Sequence, residues 1–283
     1  MRFLLTMLLV FVAYHRMPAQ QLESQPTDDE TGCSSIVGKV EHPEALTDCC
    51  RFVVSLRQHL PNVICDQSTA RYTRARPDSL RLYLQDRVTA HVIYEDGREG
   101  HSDIKIDGQP QDKQLSEVKG QYSFGEFGTD LIFVFDGGNH PNFRFLRTAK
   151  LEKQSAFVFD AIVSGGNNHG WVLQSNKLTT YPEFRAEIWL DQTTHNLLRF
   201  KVMPLPDPDF PVSNIELDTR YENIQLGDGT EFVLPVKSES SSCLWNYPKR
   251  TMAFCNYSLM TFKNCHKFRA KSRIITDGVD GSN

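Results

Sequence analysis

From Val63 to Ile275 the chain is a nearly unbroken series of strand-length alternating segments joined by turns of a few residues, and that spacing constrains the fold more than any other feature. "VICDQSTARYTRA" leads, followed by "DRVTAHVIYEDGREGHSDIKIDG", in which two alternating runs meet at Asp96-Gly97, a strong hairpin signal. "FRFLRTAKLE", "SAFVFDAIVS", "GWVLQSNKL", "FRAEIWLDQTTHNLLRF", "NIELDTRYENIQLGDG", "EFVLPVKSESSSC", "RTMAFCNYSLMTF" and "KFRAKSRIIT" continue the series. Turns at Gly165-Gly166, Asp191 to Asn196 and Asp228-Gly229 are too short for a crossover, so consecutive strands must be antiparallel neighbours. About ten or eleven strands in this order make an α+β chain that is mainly antiparallel β, with one large sheet that must curl.

Two segments break the period. Leu46, Cys49, Val53, Leu56 and Leu60 recur at steps of three and four, with Pro43 suited to a first helical turn and Pro61 to a stop, which predicts an amphipathic helix ahead of the strands. In "FGEFGTDLIFVFDGGN", Phe127, Leu131 and Phe135 share one helical face ended by Gly137-Gly138; the β-branched and aromatic content of Leu131 to Phe135 makes a strand the competing reading. One or two helices are thus available to cover the concave face of the sheet.

The N-terminus bounds the compartment. Met1-Arg2, the apolar run Phe3 to Ala13 and the polar "YHRMPAQQ" fit an export signal cleaved after Ala19, and the run is shorter than the roughly 20 residues of a membrane span. Met17 is not the small residue preferred at −3, which leaves an uncleaved anchor as the alternative. The expected organisation is therefore signal peptide 1–19, flexible leader 20–42, one domain over 43–276 and a disordered tail 277–283. Export permits disulfides. Among seven cysteines, Cys243 and Cys255 flank a turn-like "NYPKR" and are expected to pair, while the odd count leaves at least one thiol free or paired between chains. Cys49-Cys50 reads as buried thiols, and no cysteine or histidine spacing suggests a metal. No basic run or stripe points to nucleic acid.

No catalytic template fits. G-x-S-x-G is absent, "SGGNNHG" reads as a hairpin loop, and Ser164, Asp160 and His169 make a triad only by chance proximity in the sequence. His91, set among apolar neighbours, reads as a hydrogen-bonded sheet histidine or as a protonation switch. "PLPDPDFP" reads as a stiff acidic rim or a strand crossing. The sequon Asn256-Tyr257-Ser258 is idle if the source is bacterial. Trp189 is the unexpected residue: if Phe184, Ala186, Ile188 and Leu190 face a core, it stands on the charged face beside Arg185, Glu187 and Asp191. It either packs on the stems of Arg199 and Lys201 or marks a docking surface.

This order of elements resembles the LolA-like half-barrel of periplasmic lipoprotein carriers and of RseB-type regulators. "EIWLDQTTHNLLRF" looks like that family's strand-turn-strand, and "YENIQLGDGTEFVLPVKSE" is similar to its end hairpin. "GEFGTDLIFVF" and "YEDGREGHSDIKIDG" look like versions of the fold in envelope proteins of soil bacteria of the Acidobacteria. The resemblance implies an apolar groove between sheet and helices that holds a lipid, an acylated protein or a peptide, without enzymatic activity or cofactor. Val88, Ala90, Phe127, Leu131, Phe143, Phe145, Phe157 and Phe159 would line it, with Trp189 joining them if its face is the concave one. The alternatives are a filled core with a protein-interaction or sensor role in the envelope, and a hydrolase with an unrecognised site.

Overall fold

The computed structural model describes residues 8–9, 30–59, 62–74, 81–95, 98–166, 172–175, 178–227, 229–246 and 251–268. The expected cleavage after Ala19, the turn at Asp96-Gly97, Asp228, His169 and the tail 277–283 lie outside the described residues. In chain order the elements are β1 (Leu8–Leu9), α1 (Glu30–Val37), α2 (Pro43–His59), β2 (Val63–Arg74), β3 (Tyr83–Glu95), β4 (Arg98–Ile106), β5 (Gln109–Pro110) and β6 (Gly120–Gln121). There follow α3 (Thr129–Phe135), β7 (Asn142–Leu151), β8 (Gln154–Val163), β9 (Leu173–Ser175), β10 (Leu178–Thr180), β11 (Glu183–Asp191), β12 (Leu197–Leu205), β13 (Val212–Gln225), β14 (Glu231–Asn246) and β15 (Thr251–Lys267).

Eleven strands form one antiparallel sheet in the order β5-β4-β3-β2-β15-β14-β13-β12-β11-β8-β7. It is the large antiparallel sheet expected from the turn spacing, with two departures from consecutive order: the last strand, β15, lies between β2 and β14, and β8 pairs with β11 because β9 and β10, beyond Gly165-Gly166, join the small sheet instead. A second, small sheet runs β10-β9-β1-β6.

The helices cover one half of the concave face. α2 brings Ala45, Leu46, Cys49 and Val53 onto Phe159, Ala161, Ile188, Leu190 and Phe200, and α3 adds Leu131 and Val134 to the same cluster. Nearly all of these side chains are fully buried, so this half is a packed core. His195 in the β11–β12 turn fixes α2 from outside, its Nδ1 standing 2.7 Å from Asp48 Oδ2. That turn is shaped by Asp191, whose Oδ1 accepts from the amides of Thr193 and Thr194 at 2.9 Å each.

Two expectations need correction. Residues 20–42 were read as a flexible leader, yet from Glu30 they form α1, joined to α2 by a Cys33–Cys50 disulfide. The polar sequence "ETGCSS" gives little helical signal because the helix is held by that bond and by Cys33 and Val37 in the core, not by its own propensity. Cys50 is therefore no buried thiol, and Cys49 is the one free cysteine among the described residues. Phe127 was placed on a helical face with Leu131 and Phe135; it precedes α3 and packs instead against Tyr94 and Phe262 in a separate cluster. The Cys243–Cys255 bond forms as expected across the β14–β15 hairpin, and a third bond, Cys65–Cys265, ties β2 to β15.

The loop that enters α3 buries three carboxylates together. Glu126 and Asp130 are almost fully buried and Glu99 on β4 is half-buried, accepting from the amides of Gly125 and Phe127 at 3.3 and 3.4 Å. Gly125 allows this approach, having φ +108° and a position where any Cβ would overlap the Asp130 carboxyl. Burial, then the neighbouring Glu126, pushes Glu99 up to about 8. Burial raises Glu126, and burial with Glu126 and Glu99 raises Asp130. On the same face of β4, burial lowers His101 to about 4, its Nε2 lying 2.8 Å from Gln67 Oε1.

Three measurements follow from this packing. Burial raises the Cys49 thiol well above its usual range, so a thiol reagent should find no reactive cysteine in the native protein, one after denaturation and seven after reduction. Phe159→Ala should lower unfolding free energy by about 3–5 kcal/mol in denaturant titration, because the site is fully enclosed. Groups with raised folded pKa contribute stability below their ordinary pKa and lose it as pH rises through the folded value, near 8 for Glu99. His101 acts oppositely, losing stability as pH falls from 6.5 toward 4. Between about pH 6.5 and about pH 8.5 only the carboxylates count, and the melting temperature should fall by about 2–6 °C across that window. Glu99→Gln should flatten the fall.

Candidate functional site

Residues paired across a sheet share a face, and one transverse row shows how the concave side is built. It runs Phe143, Ala161, Ala186, Val202, Leu217, Ser240, Ser258, Arg71. The first five residues lie in the core covered by the helices; the last three are buried and polar. The adjacent row repeats the change, passing from Phe145, Phe159, Ile188 and Phe200 to Thr219, Ser238, Met260 and Thr69. The concave face is therefore apolar under the helices and carries a belt of hydroxyl and amide side chains over β13, β14, β15 and β2. A second apolar patch of Val88, Ala90, Ile104, Leu115, Val118 and Tyr122 lies beyond the belt.

The belt is roofed by the small sheet. Gln121 of β6 reaches down to it, donating Nε2 to Ser240 Oγ at 3.0 Å and accepting from Ser242 Oγ at 3.1 Å. Its neighbour Gly120, at φ +112°, lies so close that a Cβ would stand 2.5 Å from Arg71 Nη1. Arg71 is held in place by Asp86, with Nε and Nη2 each donating to one carboxylate oxygen at 2.6 Å. Three buried polar atoms of this region have no hydrogen-bond partner: Arg71 Nη1, Ser258 Oγ and Ser175 Oγ of β9. Unpartnered buried groups are costly and rare in packed proteins. Between β6 and β9 lies β1: Leu8 and Leu9 pair in parallel with Gly120 and Gln121, and Leu9 pairs antiparallel with Ser175.

The residues expected to line a groove are divided by this arrangement. Phe143, Phe145, Phe157 and Phe159 are on the concave side with Leu131, but in the filled half. Val88 and Ala90 belong to the patch beyond the belt, and Phe127 to the end cluster. Trp189 is on the convex face with Ala156, Val158 and Leu198. The Arg147 and Arg199 guanidinium carbons lie 5.4 and 5.2 Å from its ring centroid, and its Nε1 donates to Glu187 Oε1 at 2.6 Å. Only 7% of Trp189 is exposed, so little of it is left to meet a docked protein. The serine belt was the feature missed by sequence reading, although Ser238, Ser240 and Ser242 recur at the strand period in "VKSESSSC".

Other sequence candidates are accounted for locally. Asp160 is on the convex face, bonded to Arg144 at 2.8 Å and also to Arg185, and so is not poised as a catalytic acid. His91 faces outward between Asp66 and Asp103, at 3.3 and 3.1 Å. The proline-rich loop closes a turn, Phe210 N donating to Asp207 O at 2.9 Å, and walls a cleft of about 870 Å³ where β12 and β13 part beyond the Val202–Leu217 pair. Among the described residues no three His, Cys, Asp or Glu side chains are grouped to hold a metal.

No family model matches the chain, and no curated protein does. Among solved structures it is similar to a DUF1329 family protein from Desulfovibrio piger, at 9% identity over 79% of this chain and 93% of that one, with a TM-score of 0.37. It is also similar to the Mycobacterium tuberculosis lipoprotein LppX, at 12% identity over 82% of this chain and all of that one, TM-score 0.29. A third similarity is to a chain of the Pseudomonas aeruginosa MucA/MucB complex, at 9% identity over 79% and 99%, TM-score 0.23.

Proposed function

We propose that this is an exported, non-enzymatic binding protein of the cell envelope or its surroundings, which holds a hydrophobic ligand between the curved sheet and the small sheet that roofs it. The observation that carries this reading is the position of Leu8–Leu9, a piece of the chain's own apolar N-terminal run, seated between β6 and β9 above the concave face. Three disulfides support the exported compartment. The helix-covered half is filled, which supports placing the proposed ligand in the half roofed by β6 and β9. Hydroxyl and amide groups lie at the centre of this half, beside the packed cluster of Val88, Ala90 and Tyr122, which suits an amphiphile or an acylated or peptide chain better than a plain hydrocarbon.

The energy scale suits reversible carriage. Each methylene buried contributes about 0.8 kcal/mol, so a ten-carbon stretch approaches about 8 kcal/mol before ordering costs are subtracted.

Native mass spectrometry of the form released by an exporting host, purified without detergent, tests the reading. The expected spectrum shows an N-terminus beyond the apolar run and a fraction with added mass that resolves into a lipid or peptide. A protein that carries no ligand and takes up neither fatty acid, lysolipid nor apolar peptide when these are supplied would overturn it.

A further inference from the structure

We infer that the slot between β6 and β9 binds an extended apolar peptide segment through its backbone, adding it as a strand to the small sheet. This deepens the proposed function and rests on it, since it names the ligand class of the same site.

The slot is one strand wide. β1 pairs with β6 on one side and β9 on the other, in register at Leu8–Gly120, Leu9–Gln121 and Leu9–Ser175. Two ladders spaced at about 4.8 Å set the walls about 10 Å apart, which admits a single extended backbone. Those walls end in main-chain N–H and C=O groups, which require partners when water is excluded. An acyl chain has none to offer, whereas a peptide offers two per residue. The recognised chemistry is therefore amide-bearing and extended, the strand-addition mode of peptide capture.

The chain's own segment leaves part of the site unused. With Leu8–Leu9 in place, Ser175 Oγ on one wall, and Arg71 Nη1 and its cross-strand neighbour Ser258 Oγ on the floor, still have no partner. Arg71 and Ser175 are 6% and 0% exposed, so water does not serve them freely. All three can donate. Because Asp86 already neutralises Arg71, the remaining Nη1 suits an uncharged acceptor such as a carbonyl. A segment with apolar residues around one amide side chain, Asn or Gln, would use donors that leucines cannot. Leu8–Leu9 is then a stand-in, displaced when the N-terminal run is removed on export, and the physiological occupant is an extended segment of another protein.

The test uses the full chain expressed in an exporting host and the form that host releases, with its N-terminus fixed by intact mass. Binding is read by fluorescence anisotropy with three probes: a lysine-tailed peptide of residues 3–13, the same peptide with its backbone N-methylated at the Leu8 and Leu9 positions, and a fluorescent lysophospholipid. The first should bind, and N-methylation should weaken it at least about tenfold, since only backbone hydrogen bonds are lost. Leu9→Asn in the first peptide should tighten it several-fold, and Ser175→Ala or Arg71→Lys should remove that gain. Equal binding of the N-methylated peptide would overturn the slot while leaving a groove for apolar chains. Binding of the lysophospholipid alone would do the same. A released form that retains Leu8–Leu9 and takes up no peptide would also overturn it, the slot then belonging to the chain itself. Failure of all three probes would remove the proposed function as well.

Discussion

The pairing of β15 with β2 holds the molecule together. Every other neighbour relation in the large sheet spans about twenty residues or fewer between paired ends, whereas this one joins the β2–β5 meander through β15 to the six strands β7, β8 and β11–β14. Without it the chain would have two open sheets, each with a long unpaired edge. The ladder runs from Lys267–Val63 to Cys255–Arg74 and is locked by Cys65–Cys265, residues 200 apart in sequence. Closing so long a loop once and keeping it closed removes about 5 kcal/mol of unfolded-state entropy in the chain-entropy model. The concave face exists as one surface only because this seam is shut, and the polar belt lies directly across it.

The two faces of the sheet follow different rules. On the convex face charges are interleaved: Asp160 with Arg144 and Arg185, Asp218 with Arg199, Glu216 with Lys201. The more exposed pairs add little stability each, whereas Asp160, only 2% exposed, depends on its two arginines. The pairs keep a broad sheet surface soluble and make a poor edge for stacking, and Trp189 fits among them because guanidinium groups cover its ring. On the concave face, packing decides everything, and the helices cover only half of it.

Much of this was legible in the sequence where the signal is local. The antiparallel order, α2 with Pro43 in its first turn, the Asp191 turn and the Cys243–Cys255 pair each depend on residues within a hairpin or a helix. What was not legible is non-local or face-dependent. Nothing near Cys65 points to Cys265, and the stripe of α1, Cys33, Ile36 and Val37, is a single turn in a polar stretch, too short to signal a helix without the disulfide that fixes it. The serine belt was missed for a related reason. In "KSESSSC" both faces are polar, so alternation does not reveal which one is buried. Phe127 falls at helical spacing from Leu131, but Gly128 caps α3, which begins at Thr129, so Phe127 lies before the helix.

Polarity at the centre of a buried face is therefore the most unusual feature of this sheet. Leu217, Ser240 and Ser258 are consecutive positions of one row, so the change from apolar to hydroxyl occurs within a single strand spacing. Hydroxyls at Ser238, Ser240, Ser242, Thr219 and Ser258 cost free energy to bury unless they are bonded. Several are bonded to each other or to Gln121, which satisfies them without a ligand and keeps the floor ordered. Those left over are Ser258 Oγ and Arg71 Nη1, on residues paired directly across the β15–β2 seam, with Arg71 against Gly120. Hydrophobic replacements at these positions would pack as well and cost nothing in desolvation, so a purely structural face would have no use for them. Ser258 Oγ and Arg71 Nη1 stand where the seam and the roof meet, and under the proposed reading they are the donors left for polar groups on an otherwise apolar ligand.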